Sequence, residues 1–389
     1  MKKIFVVFLI IVIFLNSMAY VSSQKNISFE IDQIKGIYIS YLEYLTYFEG
    51  NSLGINKSSI NNMLDNIKTL GFNTIFLHTS PFSDAIYKSN IFPYSYTLTG
   101  IEGKNPGMDY LKYFIEEAHK RKIKVHAWIN PYRISSSNDI SKLSLDNPYF
   151  LFKDTNSVKV SNNGVYYNPA SDLVVELLLK QVKEIINNYD VDGIHFDDYF
   201  YPDNTIDLEN YQSSSQDVSL SNYRLNIINS TIKKVYQLIK KHNSKLIFSI
   251  SPDGNIENNY ELHYADIKTW LLENDYIDII MPQVYYGFEN DIKPFIETIN
   301  EWNSLIKNNV KLVPVLAFYK VGLQDNLAGS GYLEWINNND IIAREINYTK
   351  TLTNYDGITI FRYEYLFNNN LETLNTKDEI LNLKKVIND

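Results

Sequence analysis

The sequence predicts a single (β/α)8, or TIM, barrel, and three observations lead to that prediction. Segments with the two-residue alternation of strands and segments with helical spacing of apolar residues follow one another eight times. No internal repeat or linker divides these units. Of the 389 residues, 45% are hydrophobic, which is enough for one large core. Such alternation is typical of a parallel sheet. Because the chain contains eight units and no additional one, we expect the sheet to close into a barrel.

The first half of the chain contains four strand–helix units. Each predicted strand has apolar residues at alternate positions, such as Ile37 and Ile39 in the first. Each predicted helix has apolar residues three or four positions apart, and Gly71 ends the first helix. In chain order these elements are strand 36–41, helix 57–70, strand 73–80, helix 108–121, strand 123–132, helix 171–189, strand 191–202 and helix 222–242. Residues 135–167 and 203–219 are polar, which indicates that they form loops.

The second half repeats the pattern four times. Its first strand has Phe248 and Ile250 on one face and the polar Ser249 and Ser251 on the other. In chain order the elements are strand 245–253, helix 264–273, strand 277–286, helix 291–307, strand 311–320, a helix within 334–351, strand 357–365 and helix 373–387.

The stretch VDGIHFDDYFYP, residues 191–202, has the strongest functional signal. Ile194 and Phe196 form its apolar face, and the opposite face carries Gly193, His195, Asp197 and Tyr199. An apolar outer face and a polar inner end are typical of a barrel strand that leads into an active site. The alternative is that Asp197 and Asp198 merely cap the following segment. We favour a site, because His195 and Tyr199 share the face of Asp197.

The carboxyl ends of all strands meet at one mouth of a barrel, so a set of side chains is expected to converge there. The expected set is His78, Ser80, Trp128, Asn130, Asp197, Tyr199, Asp253, Gln283, Tyr285 and Tyr319. The aromatic members suit the stacking of sugar rings, although each one could equally be a core residue.

Asp197 is the foremost catalytic candidate, because a carboxylate can attack an anomeric carbon, stabilise an oxocarbenium ion or activate water. Glycoside cleavage also requires a second carboxyl group to protonate the leaving oxygen. Asp253 is expected to point into the mouth one strand away. Asp198 points away from Asp197 unless the strand breaks there, and Glu364 shares a face with apolar residues. All three candidates remain open.

Two histidines, His126 and His195, are predicted to point inward from adjacent strands. They either bind substrate hydroxyls or satisfy buried polar groups. With His78 and Asp197 they would converge on a metal, but no local metal-ligand spacing supports this, so no metal or other cofactor is predicted.

Composition narrows the class of protein. The net charge of −9 and the lack of a basic block beyond the first three residues argue against a nucleic-acid partner. The absence of cysteine excludes disulfides, thiol catalysis and cysteine-held metals. The 31 tyrosines fit a sugar-binding mouth or a general compositional bias.

The N-terminus resembles a secretory signal. Lys2 and Lys3 precede the apolar run 4–15, and Ser17 and Ala19 are small residues at signal-peptidase positions. We expect residues 1–23 to be a signal peptide or an uncleaved anchor, and residues 30–389 to be the barrel domain. The mature protein is then expected outside the cytoplasmic membrane, with membrane contact only through the N-terminal segment.

Three long segments carry a family resemblance: GKNPGMDYLKYFIEEAHKRKIKVHAWINPYR from Gly103, YDVDGIHFDDYFYP from Tyr189 and YADIKTWLLENDYIDIIMPQVYY from Tyr264. Weaker matches are PFSDAIYKS, YYNPA and AFYKVG. In these segments the chain resembles the bacterial glycosyl hydrolase-like 10 family. The resemblance implies a (β/α)8 barrel with glycoside hydrolase activity on a cell-wall glycan, above all peptidoglycan strands, or on an exopolysaccharide. It implies that the site is lined by Asp84, Trp128, Asn130, Arg133, His195, Asp197, Asp198, Gln283 and Tyr285.

The sequence departs from the family pattern at two positions. Ser80 stands before Pro81 where the family usually has arginine, and Asp253 stands where it usually has phenylalanine. The second departure weakens Asp253 as the general acid. The altered Ser80 and the uncertain acid leave a non-catalytic carbohydrate-binding barrel as one alternative. The inward histidines leave a metal-dependent polysaccharide deacetylase as another.

Overall fold

The computed structural model describes residues 33–215 and 217–388, and the chain from Ile34 onward forms one compact unit. The predicted signal segment 1–23 lies outside the described residues. Within the described ranges, no helix is both long and apolar enough to cross a membrane.

Eight parallel strands, β1 to β8, form the barrel. They are β1 Ile34–Ile39, β2 Thr74–Ser80, β3 Lys124–Ile129, β4 Gly193–Phe196, β5 Ile247–Ile250, β6 in the pieces Ile279–Ile280 and Gln283–Val284, β7 in the pieces Lys311–Leu312 and Val315–Leu316, and β8 Gly357–Ile360. Pro282 and Pro314 lie in the gaps of β6 and β7, where a residue without an N–H interrupts the ladder.

The sheet closes on itself. Each strand pairs in parallel with the next, both pieces of β6 pair with β7, and β8 pairs with β1 through Ile34 opposite Gly357. At this junction Arg362 forms an ion pair with Glu43, a contact between residues 319 positions apart. The predicted (β/α)8 barrel is thus confirmed.

One principal helix follows each strand. These helices are α1 Leu53–Leu70, α2 Tyr110–Lys120, α3 Asp172–Asn188, α4 Leu220–His242, α5 Ile267–Leu272, α6 Phe295–Leu305, α7 Ile341–Thr349 and α8 Leu374–Asn388. The ends of α1 show how the sequence defines them, because the Ser52 side chain caps its first turn and Gly71 ends it at φ +100°.

The loops contain short helices and a small additional sheet. Short helices span Tyr41–Tyr47, Tyr149–Phe152, Leu208–Ser213, Ile256–Glu261, Glu334–Asn337 and Tyr363–Phe367. A three-stranded antiparallel sheet of Arg133–Ser135, Val158–Ser161 and Gly164–Tyr167 occupies the region predicted as loop between β3 and α3. That prediction was wrong, because strands of three or four residues leave little periodic signal.

Side chains of alternate strand positions fill two separate cores. Outward residues such as Ile75 and Leu77 pack beneath the helices. Inward residues, including Tyr38, Phe76 and Trp128, fill the barrel. The alternation read from the sequence therefore correctly separates the two faces of these strands.

The end of β2 breaks this alternation. The pairing of β2 with β3 shifts register between His78 and Ser80, which is a β-bulge. The Ser80 hydroxyl accepts a hydrogen bond from Gln181 of α3 at 2.8 Å and donates to the backbone oxygen of Asp84 at 2.6 Å. The prediction that Ser80 faces the mouth was wrong, because the bulge turns its side chain outward.

Candidate active site

A cavity of about 270 Å³ opens at the carboxyl end of the barrel. Every strand contributes to it, either directly or through the residues that follow the strand. Its lining consists of Tyr38, Ser40, Tyr41, Leu42, His78, Trp128, Arg133, Asp197, Asp198, Tyr199, Ser251, Gln283, Tyr285, Tyr319 and Phe361. This is the position of the active site in enzymes of this fold.

Two adjacent carboxyl groups, Asp197 and Asp198, line the cavity just after β4. The strand ends at Phe196, so strict alternation no longer applies and both side chains reach the cavity. Asp197 is buried, and the backbone N–H of Tyr199 donates to its Oδ1 at 3.4 Å. Asp198 is partly exposed. The structure therefore brings Asp197 and Asp198 into one cavity.

The environment raises the pKa of both groups. Burial raises the pKa of Asp197 well above its usual range, the charge of Asp198 adds to this, and Arg133 opposes it. Burial also raises the pKa of Asp198, while nearby His263 and the amide of Gln283 lower it. Burial and the neighbouring charge together favour the protonated form of Asp197 at neutral pH.

Aromatic rings form most of the remaining wall. Trp128 lies face to face with His78, with ring centroids 3.5 Å apart. Tyr285 and Tyr319 stand perpendicular, with centroids 5.6 Å apart. Gln283 donates through Nε2 to the backbone oxygen of Ser251 at 2.9 Å. Flat rings and fixed polar groups together are suited to binding a sugar.

Beneath the cavity, His195 joins three strands. Its Nδ1 lies 2.8 Å from the Ser249 hydroxyl, and its Nε2 lies 2.8 Å from Tyr38 Oη and 3.0 Å from Ser251 Oγ. Burial holds its pKa well below the usual range, so the ring is neutral. His195 does not line the cavity itself but positions two residues that do.

Asp253 lies outside the cavity lining, contrary to its expected orientation. Its Oδ1 accepts from the N–H of Asn255 at 2.7 Å and its Oδ2 from Asn258 at 3.0 Å. Burial alone would raise the pKa of Asp253, but hydrogen bonds from His263, Asn258 and Asn255 outweigh burial and lower it. A carboxylate committed to such a turn is poorly suited to donate a proton.

Four further candidates also lie outside the lining. His126 sits one layer deeper in the barrel, opposite Gly193, and burial lowers its pKa to about 4. Asp84 is fully buried in the loop after β2, and burial raises its pKa to about 7. Asn130 accepts a hydrogen bond from Trp128 Nε1 at 3.2 Å. Glu364 forms an ion pair with Arg362.

The described ranges contain no group of three or more His, Asp or Glu side chains placed to hold a metal ion. The convergence of His78, His126, His195 and Asp197 considered from the sequence is therefore not found, since His126 and His195 lie below the mouth.

Sequence reasoning missed several lining residues, namely Tyr38, Ser40, Tyr41, Leu42 and Phe361. Tyr38 could have been found, because it alternates with Ile37 and Ile39 on β1 and must therefore face inward. The other four follow β1 or β8, where no regular pattern indicates orientation.

A closed barrel with an acidic and aromatic cavity at its mouth places the protein in the glycoside hydrolase-like class. The chain belongs to the family described as Glycosyl hydrolase-like 10, which matches residues 33–330. Sequence resemblance to this family is thereby confirmed.

Two relatives illustrate the family. The chain is 33% identical to glycosyl hydrolase YngK of Bacillus subtilis (strain 168) over 297 residues, which are 70% of this chain but only 58% of YngK. It is 29% identical to glycosyl hydrolase DigH of Escherichia coli (strain K12) over 341 residues, or 80% of this chain and 76% of DigH.

Two solved structures share the fold. The glycoside hydrolase domain of PgaB (BpsB) from Bordetella bronchiseptica has a TM-score of 0.56 at 9% identity and is aligned over 90% of this chain and 98% of that domain. The endo-1,4-beta-mannanase from Rhizomucor miehei has a TM-score of 0.53 at 10% identity, over 92% and 95% of the two chains. At these identities the likeness concerns the fold alone.

Proposed function

We propose that this protein is a glycoside hydrolase that cleaves a bacterial cell-wall glycan, with peptidoglycan strands as the first substrate class, or an exopolysaccharide. The observation that carries the proposal is the Asp197–Asp198 pair, whose pKa values are raised at the base of an aromatic cavity. Glycoside cleavage needs one protonated and one ionised carboxyl group, and buried Asp197 beside partly exposed Asp198 meets that need.

The environments of the two groups suggest their roles. Asp197 is the more deeply buried group, so it keeps its proton and acts as the general acid. Asp198 is partly exposed, and His263 favours its ionised form, so it acts as nucleophile or base. From the sequence, Asp197 was expected to act as nucleophile or base, so this assignment exchanges the two roles.

The aromatic walls bind the sugar in this proposal. Tyr285 and Tyr319 supply rings that contact the C–H groups of a sugar, Trp128 adds the part of its ring that His78 leaves uncovered, and Gln283 offers an amide to a hydroxyl. The N-terminal segment supports a location outside the cytoplasmic membrane, where such a glycan is found. Relatives called glycosyl hydrolases support the reaction class.

The test is a reducing-end assay on purified protein. The substrates are peptidoglycan strands with and without stem peptides and a panel of exopolysaccharides. New reducing ends from the unmutated protein, absent with Asp197→Asn, would support the proposal. Retention of glycan without any new reducing ends would favour a non-catalytic binding barrel instead.

A further inference from the structure

We infer that Arg133 is a receptor for the carboxylate of an acidic sugar next to the scissile bond. This inference rests on the proposed function, because it names a charged group on the glycan bound in the same cavity. The observation behind it is an arginine that lines the cavity, held by aromatic rings and lacking a carboxylate partner.

Three rings surround the Arg133 guanidinium. Its central carbon lies 4.7 Å from the ring centroid of Phe82, 4.7 Å from that of Tyr199 and 5.8 Å from that of Tyr41. Its Nε donates to the backbone oxygen of Pro81 at 3.2 Å. Cation–π contacts on several sides fix the plane of the guanidinium before any ligand arrives.

The charge of Arg133 has no ion-pair partner among residues 33–215 and 217–388. Two other poorly exposed arginines are paired: Arg224 lies 2.7 Å from Asp207, and Arg362 lies 2.8 Å from Glu364. The charge of Arg133 lowers the pKa of both Asp197 and Asp84, yet it forms a salt bridge with neither. A partly buried cation that remains unpaired while others are paired points to a partner outside the chain.

A carboxylate is the chemical group that this arrangement fits. With Nε engaged, the terminal nitrogens still carry N–H donors in a rigid fork, which matches the two oxygens of a carboxylate. A neutral sugar would need only the rings and amides of the cavity. The ligand class is therefore a sugar that bears a carboxylate, as a uronic acid does or as a lactyl ether does.

The structure also allows a simpler role, in which Arg133 only adjusts the pKa of Asp197. The experiment separates the two roles by changing the ligand rather than the protein. The ligands are the disaccharide of N-acetylglucosamine and N-acetylmuramic acid, and the same disaccharide with its carboxyl group converted to a primary amide. Binding is measured by calorimetry at neutral pH, with Asp197→Asn in the full chain so that turnover does not interfere.

The expected result is that Asp197→Asn protein binds the acid roughly ten- to hundred-fold more tightly than the amide. Adding Arg133→Gln should bring the ratio of the two affinities, acid over amide, close to one. Adding Arg133→Lys should leave an intermediate ratio, because the charge remains but the fork is lost. Arg121→Gln, at the residue that follows α2 and outside the cavity lining, is the control and should retain the ratio.

A ratio near one before Arg133 is changed, or a ratio that survives Arg133→Gln, would overturn the inference. Failure of the proposed function is a separate outcome. If the unmutated protein cleaves no glycan but the ratio depends on Arg133, the carboxylate site stands and the hydrolase assignment fails. If cleavage occurs but the affinity ratio is insensitive to Arg133, the hydrolase assignment stands and the carboxylate site fails.

Discussion

The hydroxyl of Tyr38 lies 2.8 Å from Nε2 of His195, so a hydrogen bond joins β1 and β4 inside the barrel. Both side chains are almost completely buried. We expect Tyr38→Phe to lower the free energy of unfolding by about 1 kcal/mol, because a buried nitrogen loses one of its partners. Denaturant unfolding followed by fluorescence measures this change. No loss of stability would mean that Ser251 alone satisfies the nitrogen.

Asp197→Asn tests the proposed general acid. We expect kcat/KM on natural glycans to fall by roughly 10²–10⁴-fold, because an amide cannot protonate the leaving oxygen. Activity on glycosyl fluorides should fall much less, since fluoride leaves without protonation. Asp198→Asn should abolish activity on both substrates.

Asp253→Asn is the matched control for these variants, because Asp253 follows the neighbouring strand but lies outside the cavity. It should retain activity while lowering stability. If Asp197→Asn loses both activities and added azide restores turnover of the fluoride, the two roles are reversed.

The pH profile of activity provides a third prediction. A general acid works only while protonated, and burial raises the pKa of Asp197. The alkaline limb of kcat/KM should therefore lie well above pH 4, where an ordinary aspartic acid would lose its proton. Arg133 lowers the pKa of Asp197, so Arg133→Gln should move this limb to higher pH. A move to lower pH would contradict the assignment, and Arg121→Gln should cause no move.

Glu379 on α8 predicts a pH dependence of stability. It is buried, and burial raises its pKa from 4.5 to about 7. Because the folded pKa exceeds the unfolded value, its contribution to stability is present below pH 4.5 and is lost as the pH rises through 7. Glu379→Gln should therefore stabilise the protein by about 1–3 kcal/mol at pH 8 and have little effect at pH 4. Urea unfolding at the two pH values measures this, with exposed Glu116→Gln as the control.

Gly193 lies where the barrel interior has no room for a larger side chain. A Cβ there would lie 2.7 Å from both His126 Nδ1 and the backbone oxygen of Ile247. Gly193→Ala should therefore destabilise the protein by about 1–3 kcal/mol. Gly54→Ala in α1 meets nothing within 4 Å and should be neutral or slightly stabilising. Equal thermal unfolding midpoints for Gly193→Ala and Gly54→Ala would show that the groups around His126 can shift at little energetic cost.

Much of the fold could be predicted because the relevant signals are periodic. Ile75 and Leu77 pack outward and Phe76 inward, as two-residue alternation requires. The predicted orientation was wrong where a local interaction overrode the two-residue alternation of the strand. At Ser80 a bulge reversed the face, and at Asp253 the carboxylate bonded to the turn that follows it.

The candidate site was predictable in part for the same reason. Trp128, Gln283 and Tyr285 line the cavity because they lie on the inward faces of their strands. His126 has the same orientation but sits too deep, and alternation contains no information about depth. Arg133 and Asp84 came only from family resemblance, since Asp84 lies in a loop and Arg133 begins a three-residue strand outside the barrel.

The ion pair of Glu43 with Arg362 joins residues 319 positions apart and accompanies the pairing of β1 with β8. The barrel therefore cannot close until almost the whole chain is available. Before that moment, β1 and β7 are the edges of an open sheet with unpaired backbone groups, which other chains can join. Contacts so distant in sequence also make folding slow. During synthesis the unfinished protein thus passes through an aggregation-prone stage that ends only with its last strand.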